Sequence, residues 1–499
     1  MGRVATRSRV RRVAGQMTTR RRQLLPLVVD DGCCIGCGAC SVVSDGALTM
    51  QVTDDGLYEP RFAGSGAALS SDPDALDPAL DAVCPFGSGA DEDELSAEQF
   101  GAGPRHPAIG RHERIWAGSV ADEGFRLAGT SGGMTTWIVA EALRTGAVDA
   151  VVHVRSHRDD DAGTFSRYAI STTVEELHGG RGSRYHVQTL EDVMAEVRRR
   201  PGRYAVVGVP CFIKAIRLLA RADATIADRI GLTVSLVCGH LKSAQFSTYL
   251  AWSVGIEPGE LDDIDYRAKV PGRPANRYAI SATPQSGAEV TKGVEHIPMS
   301  DWGIGLFKPS ACDYCDDVVG ETADVSCGDA WLPPLMSDWK GANVVVARSE
   351  LVVSLIEAGI ERGDLDLEPW TADQVAASQE SGLRHRREGL SVRLANREKE
   401  GRYTPAKRVA PAPEKLDEPI GKRMLLREQI SQLSHVAFRE ALEARDLSVF
   451  HDRMRPLVSR YQGSRSSTLA RRAGSWVLYR TPAPVERLIR RATRGRRFT

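Results

Sequence analysis

No apolar stretch in this chain approaches the roughly 18 residues that a membrane-spanning helix needs, so no membrane span is expected. The N-terminus has arginines but lacks the apolar core of a secretory leader. Aromatic residues are sparse at 6%, and net charge is zero, with 65 Lys+Arg against 65 Asp+Glu. That balance argues against a dedicated nucleic-acid binder, which carries a basic excess. No Ser–His–Asp set and no paired carboxylates stand out for hydrolysis, and no catalytic residue is assigned. His153 and His240 lie near expected strand ends and are candidates for acid–base help, although a histidine so placed is more often structural. With 499 residues, 42% hydrophobic and 26% charged, the composition is that of a globular protein of two or three domains.

Cysteine is present in pattern. Ten cysteines cluster in short motifs; without a secretory leader, this predicts a reducing cytoplasm and metal ligation in place of disulfides. The stretch Cys34-Ile35-Gly36-Cys37-Gly38-Ala39-Cys40 is a C-x-x-C-x-x-C run. Cuboidal iron–sulfur clusters take thiolates at this spacing, and the bacterial ferredoxin pattern adds a nearby Cys-Pro. Ser44-Asp45 occupies that place here, so Cys84-Pro85 is the expected source of the fourth ligand. Cys34, Cys37, Cys40 and Cys84 are thus expected to hold one 4Fe-4S cluster, with a zinc knot as the alternative.

Farther along, strands and helices alternate, which implies an α/β fold with a mostly parallel sheet. Two short strands around Thr53-Asp54-Asp55 suggest a hairpin, and the acidic stretch within 87–112 reads as a linker. Gly129-Thr130-Ser131-Gly132-Gly133 opens a helix over 134–143, followed by a strand over 148–154. A Gly-Gly turn at a helix N-terminus exposes N–H groups that favour an anion. Strands over 204–208 and 232–237 end near Cys211 and Cys238, at the sheet edge where open α/β folds bind ligands. Together with Cys312 and Cys315 they make four thiols, enough for a second 4Fe-4S cluster; zinc is again the alternative, and Cys327 could replace one member. Charge is unevenly placed: eight arginines and no acid occupy residues 1–22, and Glu486 is the only acid after Arg453. A helix is expected over 424–442, and residues 485–491 read as an ordinary solvated basic helix, with a helix suited to a membrane surface or a partner as the alternative.

With these pieces assembled, the chain resembles the beta-subunit family of coenzyme F-420 hydrogenases and dehydrogenases. The resemblance rests on CIGCGAC with its remote CP, SGGMTTWIVAEALRTGAVDAVV, GSRY, GVPCFIKAIRLL, VCGH, CDYCDD and ADVSCGDAW, in that order. It implies FAD beside two 4Fe-4S clusters, and electron exchange with a deazaflavin, a ferredoxin or a partner redox subunit. Ser131, Gly132, Gly133 and Thr135 would then lie near the flavin pyrophosphate. Ser183, Arg184 and Tyr185 match a family Ser-Lys-Tyr stretch, and Gly208, Val209 and Pro210 would border the flavin. The expected division is a basic, disordered arm over 1–29, a ferredoxin-like module and linker over 30–105, a FAD and 4Fe-4S domain over 110–395, and a helical, Arg-rich extension over 396–499. The fold class is α/β, α+β overall. The competing reading is a non-catalytic electron-transfer or zinc-stabilised scaffold subunit.

Overall fold

The computed structural model describes residues 24–63, 73–180, 182–333 and 335–463. The basic arm before residue 24 and the expected helix over 485–491 lie outside the described residues.

The chain enters through α1 (Leu24–Asp30) and the cysteine loop, then α2 (Ala39–Val43). Gly36 and Gly38 both adopt positive φ, +74° and +82°, which side chains rarely tolerate. Space excludes a side chain as well: a Cβ on Gly36 would come within 2.7 Å of the Tyr58 carbonyl, and one on Gly38 would run into the Thr189 hydroxyl. β1 (Leu48–Val52) and β2 (Tyr58–Phe62) form the expected antiparallel hairpin. α3 (Pro73–Val83) then delivers Cys84. The acidic stretch expected as linker folds instead into α4 (Glu92–Phe100). Asp91 caps it by accepting from the Glu94 N–H at 2.9 Å, and three acids in the first turn suit the helix dipole.

An eight-stranded sheet follows. Its strands are β3 (Arg114–Val120), β4 (Ala150–Asp159), β5 (Thr164–Ser171), β6 (Tyr204–Gly208), β7 (Ile230–Leu236), β11 (Val325–Asp329), β12 (Asn343–Ala347) and β13 (Leu365–Pro369). The spatial order is β13-β3-β12-β11-β7-β6-β4-β5. Only the centre, β11-β7-β6-β4, is parallel; the other pairings are antiparallel. The sheet is therefore mixed and not mostly parallel. Helical crossovers build the parallel centre, whereas a tight return turns β4 back along itself as β5.

Alternation along the strands gives the sheet two buried faces. Ala150, Val152, Tyr204 and Val206 pack with α6 (Glu191–Arg199), α7 (Pro210–Ala222) and the cysteine loop. Val151, Ala205, Val234 and Val345 pack on the opposite side with α5 (Met134–Arg144) and α9 (Glu350–Glu361). The first face joins Cys33 and Cys37 to Cys312 and Cys315 in one apolar core. A third cluster unites α8 (Gln245–Trp252) and the three-stranded sheet β8 (Leu261–Ala268), β9 (Ala279–Pro284) and β10 (Val290–Gly293) with a late helical hairpin. That hairpin is α12 (Pro419–Ala444) and α13 (Leu447–Gly463), which contains the helix expected over 424–442. α10 (Glu380–Arg386) and α11 (Glu388–Glu400) precede it. Among the described residues, no helix is long and apolar enough to cross a membrane.

The hairpin is seated by aromatic packing. Phe438 is fully buried, its ring 5.2 Å from Phe307, 5.7 Å from Phe450 and 6.2 Å from both Tyr249 and Trp252. Phe438→Ala should cost about 3–5 kcal/mol, while Val436→Ala on the exposed side should stay within about 0.5 kcal/mol. Denaturant unfolding of both variants checks this, and equal losses would show that the hairpin is not seated through Phe438.

Candidate functional site

The first four cysteines converge. Cys34 and Cys37 lie on the loop, Cys40 on the first turn of α2, and Cys84 just past α3. They line a small apolar cavity with Leu25, Val28, Ile35, Leu80 and Phe86. Cys40 senses the charges of Cys37, Cys34 and Cys84, so the set is electrostatically one unit. Burial pushes every thiol up, Cys37 to about 12. Thiolates so placed need a metal's positive charge to persist, and this soft, dry donor set suits an iron–sulfur cluster.

The second set also assembles. Cys211 opens α7, Cys238 follows β7, and Cys312 and Cys315 belong to the Pro309–Cys315 turn. Cys211 senses Cys315, Cys312 and Cys238, and also Cys37 of the first set. The Leu241 N–H donates to the Cys312 sulfur at 3.4 Å. Cys327 stands apart on β11, its thiol pushed up to about 12 by burial and bonded to Thr135. Among the described residues, no group of three or more His, Cys, Asp or Glu forms a site for a single metal ion.

Beside the second set opens a cavity of about 1160 Å³. Ser131, Gly133, Thr135, Ser183, Arg184, Tyr185, Gly208 and Val209 all line it, as do Cys238 and His240. Gly132 and Pro210 do not. A Cβ at Gly132 would meet the Gly118 carbonyl at 2.7 Å and the Asn343 N–H at 2.8 Å, so glycine serves packing on the sheet. Pro210 is the buried first residue of α7, where its missing N–H costs nothing.

Besides Ser131, the turn before α5 is held by Asn343 and Lys269, which the sequence did not single out. Asn343 accepts from the Met134 N–H at 3.1 Å, and the Ser131 hydroxyl donates to the Ala342 carbonyl at 2.8 Å. The Lys269 ammonium donates to the carbonyls of Lys340, Arg126 and Ser131 at 2.6, 2.7 and 2.9 Å. Burial pulls its pKa down to about 8. Arg184 donates to the Ile264 carbonyl at 2.6 Å, tying the cavity wall to β8. Tyr185 packs on Trp302 at 4.7 Å, and His240 stacks on the same indole at 4.5 Å. Arg267 pairs with both oxygens of Asp329, at 2.7 and 3.0 Å. Lone lysines, arginines and tryptophans in varied loops carry no spacing signal, so only the fold could gather them.

The two candidate histidines differ. His153 lines the cavity as well, but its Nε2 is bonded to the Ser171 hydroxyl at 2.8 Å. The His240 Nε2 is buried and has no hydrogen-bond partner among the described residues. Burial lowers both, and the cations Lys242, Arg427, Lys308 and Arg386 lower His240 further.

Burial also holds His153 and His186 near 4, below the ordinary 6.5. Between these values the unfolded chain binds protons that the native rings refuse. This contribution to stability is complete above pH 6.5 and is lost as pH falls toward 4. Denaturation midpoints should drop across that window, and His153→Gln should shallow the drop. An unchanged slope in the variant would exclude His153 as a source.

Comparisons with known proteins add the following. Residues 115–195 match the family model for the coenzyme F420 hydrogenase/dehydrogenase beta subunit N-terminus. Residues 202–373 match the model for the C terminus of the same subunit. A curated relative, one of the subunits of the F(420)H(2) dehydrogenase of Methanosarcina mazei, is 24% identical over 343 residues, covering 65% of this chain and 81% of the relative. A chain from the xenon-derivatized F420-reducing [NiFe] hydrogenase complex of Methanosarcina barkeri aligns with TM-score 0.46 and 15% identity, over 59% of this chain and 96% of that one.

Proposed function

The chain belongs to the coenzyme F420 hydrogenase/dehydrogenase beta-subunit family, and from that premise we propose that it is an iron–sulfur flavoprotein oxidoreductase. In this reading FAD occupies the large cavity. Cys34, Cys37, Cys40 and Cys84 hold one 4Fe-4S cluster, and Cys211, Cys238, Cys312 and Cys315 hold the other. The outside carrier is a deazaflavin, coenzyme F420, or else a ferredoxin or a partner redox subunit. The observation that carries the reading is continuity: Cys238 lines the cavity, and Cys211 of the same set senses Cys37 of the other.

The flavin, when bound, supplies two-electron chemistry that iron–sulfur clusters convert to single-electron steps. The protein's own groups bind and orient. Asn343 takes the Met134 N–H and Lys269 holds the Ser131 carbonyl, which fixes the turn so that the N-terminal end of α5 faces a phosphate with its helix dipole. Trp302 and Tyr185, tilted 54° to one another, give the cavity an aromatic wall. His240, held neutral, offers one uncommitted ring nitrogen to whatever ring lies there.

Anaerobically purified full-length protein should carry about eight iron per chain by four-iron arithmetic, together with bound flavin. Cys37→Ser should remove about half the iron, yet leave flavin reduction by a small donor largely intact. Cys312→Ser should lower flavin content and thermal stability as well, because its ligand set ties three separate segments together. Iron, flavin and stopped-flow measurements on both variants test the reading. Stoichiometric zinc with neither iron nor flavin would establish the scaffold alternative instead.

A further inference from the structure

We propose that Arg386 is a positioning residue that raises the reduction potential of the cluster on Cys211, Cys238, Cys312 and Cys315. The inference rests on the iron–sulfur reading above, and it concerns a side chain beyond residue 373, where the matched family region ends.

Arg386 is 1% exposed at the end of α10. Its guanidinium donates to the Cys312 and Cys315 carbonyls at 2.9 and 3.4 Å, and to the Gly239 carbonyl at 2.7 Å. These carbonyls belong to two ligands and to the residue after a third. The Nε–H is buried with no acceptor among the described residues. No carboxylate pairs with this arginine there, unlike Arg393, which has Asp313, or Arg408, which has Asp316 and Glu321. The charges that favour its cationic form are the thiolates of Cys315, Cys238, Cys312 and Cys211. A buried, unpaired guanidinium is costly, so the partner of Arg386 is the anionic sulfur cage itself.

The consequence concerns electrons. Reduction adds one electron to the cluster, with no bond made or broken, and the site becomes one unit more negative. A fixed cation in a dry surrounding stabilises that extra charge, and net charge and hydrogen bonding are among the factors that set such potentials. The first set lacks an equivalent among the described residues. No cation ranks among the leading influences on Cys34, Cys37 and Cys40. Lys407 does act on Cys84, but it is paired with the Asp316 carboxylate at 3.8 Å. Asp316 and Asp317 act on Cys315 in the opposite sense to Arg386, so Arg386 offsets negative charge that already surrounds the second set.

The test is an anaerobic potentiometric titration with dithionite, followed by electron paramagnetic resonance, on the full chain. Arg386→Gln and Arg386→Lys are each made in the parent and in a Cys37→Ser background, where only the second cluster remains. Arg386→Gln should make that cluster at least tenfold harder to reduce at fixed potential, about 59 mV for one electron, and leave the first cluster unmoved. Arg386→Lys keeps the charge and should stay within about threefold of the parent. Equal potentials in all three proteins would overturn the proposal, and so would an equal drop in both variants. If Arg386→Gln sheds half its iron, Arg386→Lys decides: a parental potential supports the charge effect, and loss of iron there too reduces Arg386 to a structural tie. A parent without any iron would instead refute the iron–sulfur reading, a separate failure.

Discussion

The structure depends on paying for buried charge with buried charge. Arg386, Arg393 and Arg397 are each at most 1% exposed, and all three come from α10 and α11. Arg393 donates to the Asp313 carbonyl at 2.8 Å, between the two cysteines of the C-x-x-C turn. Arg397 donates to the Asp31 carbonyl at 2.8 Å, beside Cys33, and lies over the Tyr314 ring at 4.3 Å. Arg408 adds Glu321, Asp316 and Asp93 at 2.8, 3.2 and 3.2 Å, and its neighbours hold Asp316 well below the usual carboxylate range. Breaking one such pair strands its partner and costs about 3–5 kcal/mol. Segments far apart in sequence are thereby fixed against one another around the thiols.

That fixing has an electronic meaning. Tyr168 senses both Cys211 and Cys37, one thiol from each set, and it also lines the large cavity. Its ring stacks on Phe212 at 6.1 Å, next to Cys211 on α7. Tyr168, Phe212 and cysteines of both sets share one buried apolar core. In such surroundings each added charge is weakly screened, so the placement of a single cation matters more than it would at the surface.

Much of this was legible in the sequence. The C-x-x-C-x-x-C spacing, the remote Cys84-Pro85 and the helix after Ser131-Gly132-Gly133 are local signals, and the four thiols at 34, 37, 40 and 84 do meet. Strand ends at Cys211 and Cys238 follow from period and turn chemistry. Sheet direction was less accessible, because hairpin returns such as β4 to β5 are set by turns and tertiary pairing. The acidic stretch at 91–94 looked like a linker because its partners, Lys214 and Arg408, lie over a hundred residues away. Arg386 was invisible for the same reason. Within Arg384-His385-Arg386-Arg387 it resembles a solvated basic run, and only the fold shows that His385 and Arg386 are turned inward.

The division between matched and unmatched chain has a physical sense. The matched region, 115–195 and 202–373, contains the sheet, the turn before α5 and all four cysteines of the second set. What lies beyond residue 373 supplies the arginines around those cysteines and, through Arg423, Arg427 and Tyr461, one wall of the cavity. Arg427 is itself buried, donating to the Gly303 carbonyl at 2.8 Å and bonded to His385 at 2.6 Å. A core that fixes ligand positions can be kept while a later segment changes the field acting on them. The later segment thus acts on the matched core in two ways, through charge around the thiols and through the shape of one cavity wall.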